Sequence, residues 1–209
     1  MLTNAQQKFV KDIYNLASQI GVAYGNLCPI AVTAQSCIES NYGRSTLSKQ
    51  YHNYFGLKCG KNWKGKRVSF KTKEEYVQGT LVTITADFRA YDSMEDGVRG
   101  YYEFVDTKRY ANLKGVTNPV QYAHNIKEDG YATSYSYVSN VLNVVTTITP
   151  YIKGIYDLDK LAQEVIDGKW GNGEDRKNLL ECCGYDYNLV QQRVNEILKA
   201  NELDLQNIK

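Results

Sequence analysis

Glu39 stands where a carboxylate can do acid–base chemistry. It follows the apolar Ile38 and precedes Tyr42 in the run Ala-Gln-Ser-Cys-Ile-Glu-Ser-Asn-Tyr-Gly (34–43), in the last turn of a stretch with helical spacing. The negative end of a helix macrodipole and partial burial both disfavour the charged form, so a carboxyl placed there tends to keep its proton near neutrality. A protonated carboxyl is a general acid. Its usual target is a glycosidic oxygen, provided a second carboxylate waits across the sugar. Glu74 and Glu75 are the available second pair. Spacing alone fits a surface carboxylate of an ordinary helix at least as well.

Other chemistries find fewer parts. A cysteine nucleophile would have to be Cys37 or Cys59, paired with His52 or His124, the two histidines of the chain. No third, orienting residue follows in any recognisable order, and Cys37 lies on an apolar helical stripe, where a thiol is buried and inert. The five cysteines, Cys28, Cys37, Cys59, Cys182 and Cys183, include no pair at zinc-knuckle spacing. Metal ligands and nucleotide-binding loops are absent from the pattern, so no cofactor is expected.

The elements that must position Glu39 are legible from periodicity. Phe9, Ile13, Leu16, Ala17 and Ile20 predict a first amphipathic helix, with Thr3 or Asn4 as cap and Gly21 as end. Pro29 opens a second, carrying Ile30, Ala34, Cys37 and Ile38 on one stripe, with Gly43 as the stop. Between Val68 and Phe88 the period changes to two, which predicts a small antiparallel sheet folded over a turn at Glu74–Gly79. Helical spacing returns after Ser93, after Pro119, and from Tyr137 to Ile148 until Pro150. A further helical unit follows: Leu158 to Ile166, a Trp-Gly-Asn-Gly loop, a short middle helix, and Val190 to Leu198. The reading is an α+β chain, mostly helical, with one small β lobe.

The chain has 209 residues, 43% hydrophobic and 23% charged, with three prolines; this is globular composition and enough for one or two domains. Residues 1–150 carry 17 Lys and Arg against 12 Asp and Glu, whereas residues 151–209 carry 8 against 11. Two modules of opposite balance are the simplest account. A pI near 8.1 falls short of a dedicated nucleic-acid binder. Seven basic residues between Lys58 and Lys73, with no acid among them, could attract an anionic polymer. Eighteen tyrosines supply ring surface suited to sugars, bases or cores alike. Neither a signal peptide nor a membrane-spanning run is evident, so synthesis in a cytoplasm is expected.

Four ordered stretches resemble the family 73 glycoside hydrolases, cell-wall N-acetylglucosaminidases with a lysozyme-like architecture of helices and a β lobe. These are residues 34–43, Asn53-Tyr-Phe-Gly-Leu-Lys58, Val82 to Tyr91 ending in Asp-Phe-Arg-Ala-Tyr, and Asp129-Gly-Tyr-Ala-Thr133. The resemblance implies Glu39 as general acid in a Glu-Ser-x-x-Gly motif. It implies Asn53, Tyr54, Phe55 and Gly56 as the floor of a sugar groove, with Phe88 and Tyr91 as further substrate contacts. Thr72-Lys73-Glu74 fits the family's second carboxylate, with Glu75 as the alternative, and Tyr131 fits a tyrosine beside the acetamido group. The expected substrate is the peptidoglycan of Gram-positive walls, cut after N-acetylglucosamine; a lytic transglycosylase, a muramidase or a non-catalytic wall binder are the rivals.

Residues 157–198 resemble one CW_7 cell-wall-binding repeat, through Gly168-Lys-Trp-Gly-Asn-Gly173 and Gly184-Tyr-Asp-Tyr187. That resemblance implies muropeptide recognition, with Trp170 stacking on sugar, Arg176 forking onto a carboxylate, and Asp175 and Tyr187 adding polar contacts. The expected division is a catalytic domain at 1–152, a linker at 153–156 and a three-helix module at 157–209. This is the layout of a phage or prophage endolysin, expected to act as a monomer at the wall after holin-dependent release, without nucleic-acid partners or membrane insertion.

Overall fold

The computed structural model describes residues 1–77, 80–152, 158–182 and 185–207, with side chains at all of these except 73–77, 80, 81, 182 and 202–207. The expected linker at 153–156 and Cys183 lie outside the described residues, as do the side chains of Glu74 and Glu75.

Helix α1 (Asn4–Gly21) starts at a reciprocal cap: Gln6 N donates to Thr3 Oγ1 at 3.3 Å and Thr3 N donates to Gln6 Oε1 at 3.0 Å. It buries Phe9, Val10, Ile13, Tyr14 and Ala17. Gly21 closes it, and a Cβ there would stand 2.8 Å from the Tyr102 hydroxyl. Helix α2 (Pro29–Ser40) is buried on almost every face rather than on one stripe, because α1, α5 and α6 pack around it. Its small polar residues can be buried because each hydroxyl bonds back to the helix: Thr33 to Pro29 O at 2.7 Å, Ser36 to Thr33 O at 2.7 Å, Ser40 to Ser36 O at 2.5 Å. The helix ends before the expected stop at Gly43, since Asn41 and Tyr42 already adopt left-handed backbone, with φ of 53° and 55°. Helix α3 (Thr46–Tyr51), capped by Ser45, is too short to show a period.

The β lobe is one hairpin, β1 (Arg67–Val77) paired antiparallel with β2 (Thr80–Arg89). The expected turn at Glu74–Gly79 is therefore corrected. Glu74 and Glu75 belong to β1, opposite Val82 and Leu81. The register is regular from Arg67 opposite Arg89 to Glu75 opposite Leu81 and shifts between Glu75 and Val77.

Helix α4 (Met94–Val105) begins where Asp96 N donates to Ser93 Oγ. Helix α5 (Pro119–Glu128) begins where Asn118 Oδ1 receives Val120 N and Gln121 N, with Pro119 in the first turn. A 3-10 turn at Lys108–Leu113 joins them. Helix α6 (Tyr137–Ile152) runs two residues past Pro150, which sits in the final turn. The C-terminal helices α7 (Leu158–Ile166), α8 (Gly173–Cys182) and α9 (Tyr187–Asn207) follow, with Leu161, Ala162, Val165, Trp170, Leu180, Val190 and Val194 buried among them. Among the described residues no helix is long and apolar enough to cross a membrane.

Candidate active site

A groove of about 820 Å³ runs between the end of α2, the loop 55–60, the hairpin, and the segment from Gly130 to Tyr137. Glu39 lines it, partly exposed, one residue before α2 ends. Gly56 faces the carboxyl. Its φ is +64°, and a Cβ on it would stand 3.2 Å from Glu39 Oε2, so both backbone and space call for glycine. Loop 53–57 is held from below by Asn53, whose Nδ2 donates to Leu57 O at 2.9 Å and Arg89 O at 2.8 Å while its Oδ1 accepts from Leu57 N at 3.0 Å.

Of the residues expected to meet substrate, Glu39, Phe55, Gly56, Phe88 and Tyr131 line this one groove. Asn53 and Tyr54 do not: both are buried, and their reading as substrate contacts is corrected; Tyr91, half-buried, is not among the lining residues. The Asn53 amide is fully engaged beneath the loop and 2% exposed. Tyr54 turns into the core against Phe9, with its hydroxyl 2.8 Å from His52 Nδ1. Tyr91 packs on Gly100 and edge-on to Trp63. All three hold the groove's frame.

Tyr131 packs among Tyr101, Phe104 and Tyr137, and its hydroxyl donates to Phe55 O at 2.7 Å. Burial, then the neighbouring Tyr137 and the negative charge of Glu39, push its pKa well up. Burial and the charge of Glu39 do the same to Tyr137. Both phenols therefore stay protonated beside the acid, as hydrogen-bond groups rather than bases.

Sequence reasoning missed Tyr137, because its position on a helical stripe reads as core. It is 4% exposed and lines the groove, at the end of a buried hydrogen-bond chain. Asn26 Nδ2 donates to Tyr122 Oη at 2.9 Å, Tyr122 and Tyr101 share a bond of 2.7 Å, Tyr101 donates to Gln35 Oε1 at 2.7 Å, and Gln35 Nε2 donates to Tyr137 Oη at 2.8 Å. The donors of this chain run toward Tyr137, whose hydroxyl accepts the last bond beside the groove.

Among the described residues, Cys37 and Cys59 are not activated as nucleophiles. Burial pushes the Cys37 thiol up to about 12, and Cys59 is raised for the same reason. Among the described residues no three His, Cys, Asp or Glu side chains are placed to hold a metal ion.

In the C-terminal helices Trp170 is 2% exposed, edge-on to Tyr185, with Nε1 donating to Glu164 Oε2 at 3.2 Å. Its expected role as an open stacking face is corrected: a core this small needs its largest ring inside. Arg176 ties loop to helix, donating to Gly171 O, Asn172 Oδ1 and Gln191 Oε1. Asp175 is exposed in the first turn of α8, and Tyr187 edges a shallow depression with Gln191 and Asn195 on α9.

A carboxyl at a helix end, on the floor of a groove walled by a hairpin and helices, is the layout of a lysozyme-like glycosidase. The chain belongs to the glucosaminidase family (mannosyl-glycoprotein endo-beta-N-acetylglucosaminidase), matched over residues 14–149, and is a glycoside hydrolase; residues 159–198 match the CW_7 repeat. It is 32% identical over 126 residues to the peptidoglycan hydrolase FlgJ of Pseudomonas aeruginosa, covering 57% of this chain and 31% of that protein. It is 35% identical over 111 residues to a probable N-acetylmuramidase of Lactococcus lactis subsp. cremoris, covering 53% of this chain and 24% of that one. The chain thus spans a third or less of these two relatives. A peptidoglycan hydrolase mutant from Sphingomonas sp. A1 superposes with a TM-score of 0.63 at 29% identity, over 70% of this chain and 97% of that one.

Proposed function

We propose that the protein hydrolyses peptidoglycan glycan at the β-1,4 bond after N-acetylglucosamine, with Glu39 as general acid. The observation that carries this reading is the Glu39 carboxyl in the groove, facing Gly56 and flanked by two phenols held neutral. Glu39 protonates the leaving oxygen as the sugar develops oxocarbenium character. Glu74 is the second carboxylate, with Glu75 as the alternative, on the strand that brings Phe70, Lys71 and Thr72 to the groove wall. At the anomeric carbon a carboxylate nucleophile, an activated water and the substrate's own acetamido oxygen are three routes that share this acid step, and the anomer released tells them apart. Tyr131 and Tyr137 shape the wall beside the acetamido group.

The catalytic domain covers residues 1–152 and the CW_7 module residues 157–209, joined at 153–156. Asp175, Tyr187 and Arg176 form the module's muropeptide contacts, with Trp170 as its internal anchor. Single-copy binding is weak, so avidity comes from the groove acting beside it. The protein works as a monomeric lysin on Gram-positive walls, of the phage or prophage kind. The lactococcal relative's name favours one second reading, cleavage after muramic acid. Mass spectrometry of borohydride-reduced digestion products decides: reduced N-acetylglucosamine ends support the proposal, and reduced muramic acid ends replace it.

A further inference from the structure

Among the described residues, Arg89 is a groove cation that no carboxylate pairs. Arg89, the last residue of β2, lines the groove with its guanidinium 4.5 Å from the centre of the Trp63 ring and 5.3 Å from that of Phe104. Two aromatic faces fix the plane of the group and lower the cost of removing it from water. Its backbone is fixed as well, N to Leu57 O at 2.9 Å and O to Asn53 Nδ2 at 2.8 Å. Yet Nε is buried without a hydrogen-bond partner, and among the described residues no carboxylate pairs with the guanidinium. The buried hydroxyl of Tyr91 lies beside it, its pKa raised by burial with the guanidinium working against that rise. A rigid, half-buried guanidinium with an unused edge is built to receive a planar anion.

Its position relates it to the reaction. Phe104, which carries the guanidinium on one side, lies 6.1 Å from the ring of Tyr131. Tyr110 lies 5.3 Å from Phe104, and Arg109, another groove residue, covers Tyr110 at 5.5 Å. Arg109 is occupied by the carbonyls of Asp129 and Gly130, so it adds positive field while Arg89 keeps donors free.

We propose that Arg89 is the core of a carboxylate-binding subsite next to the cleavage point, which reads a substrate carboxylate alongside the glycan. This rests on the groove taking peptidoglycan. Two sources present that chemistry: the stem peptide, and the lactyl group of a strand whose peptide has been removed.

The test compares the protein with its Arg89→Gln and Arg89→Lys variants on three preparations of one wall: untreated, with its carboxylates blocked as amides, and stripped of stem peptides. Blocking lowers wild-type kcat/KM by about tenfold, the size of a charge-assisted bond lost at a half-buried site. Arg89→Gln loses the same factor on untreated wall and nothing further on blocked wall, and Arg89→Lys falls between. Retained Arg89 dependence on stripped wall identifies the lactyl group, and its loss there identifies the stem peptide. Equal losses for Arg89→Gln on untreated and blocked walls, or a wild type indifferent to blocking, overturn the subsite. Binding of soluble strands is measured in parallel with Glu39→Gln and the Glu39→Gln, Arg89→Gln double variant. If no wall is cut, the proposed function fails, and the Arg89-dependent preference for free carboxylates in binding still decides the subsite.

Discussion

Replacing Gln35 with Leu tests the buried chain that ends at Tyr137. Gln35 is fully buried, accepts from Tyr101 Oη at 2.7 Å and donates to Tyr137 Oη at 2.8 Å. Leucine has nearly the same volume, so packing changes little and polar satisfaction changes much. Tyr101 could turn its proton to Tyr122, but Asn26 already donates to Tyr122, whose own proton then has no acceptor. The orphan moves along the chain without disappearing, and Tyr137 loses a donor besides. Two unsatisfied groups at about 1–3 kcal/mol each, partly offset by the added apolar contact, give a loss of about 2–5 kcal/mol. For a chain of this size that is a fall in Tm of roughly 5–15 °C in the catalytic-domain transition. Differential scanning calorimetry reads it. Tyr137→Phe, destabilising in the parent, becomes nearly neutral beside Gln35→Leu, because the bond it removes is already gone. A Tm shift near zero, or an equal cost of Tyr137→Phe in both backgrounds, refutes the chain.

Gly56→Ala forces a left-handed φ on a residue with a Cβ and presses that Cβ on Glu39 Oε2, so it costs about 1–2 kcal/mol in denaturant unfolding. Displacing the acid by a few tenths of an ångström lowers kcat/KM on purified wall by about tenfold. Trp170→Ala removes about 3–5 kcal/mol from a module with little to spare. Sedimentation with insoluble wall is then lost, while cleavage of soluble glycan fragments continues. With its pKa raised to about 12, Cys37 holds only about one thiolate in ten thousand at pH 8. Native protein therefore leaves Cys37 unlabelled by iodoacetamide, unfolded protein labels it fully, and the reactive fraction grows as pH rises.

Capped helices were the most legible part of the fold. Thr3 with Gln6, Ser93 with Asp96, and Asn118 with Pro119 each combine a cap and a period, and each starts a helix where expected. The hairpin turn was misplaced because Lys73, Glu74 and Glu75 are poor strand formers in an unbroken charged run, which hides the period of two. Helix α2 read as a stripe because its buried small residues are polar, and only the back-bonds of Thr33, Ser36 and Ser40 make their burial tolerable. Within the site, Glu39 and Tyr131 were legible through motif resemblance. The direction of a side chain was not. Asn53 and Tyr54 adjoin Phe55 and Gly56, yet one pair faces the frame and the other the groove, a choice made by Leu57, Arg89 and Phe9 from elsewhere in the chain. Trp170 on its glycine-flanked loop posed the same problem, settled by Glu164 and Tyr185. Arg89 and Tyr137 need the tertiary fold to be seen at all.

The central claim is that Glu39 is the proton donor of this groove, and the most direct measurement is the turnover of Glu39→Gln on purified peptidoglycan. Glutamine keeps size and hydrogen bonding but has no proton to give. A general acid predicts a fall of about a hundredfold or more in kcat, with wall binding and Tm unchanged. Turnover within a few-fold of the parent, at the same Tm, contradicts the account and moves the chemistry away from Glu39.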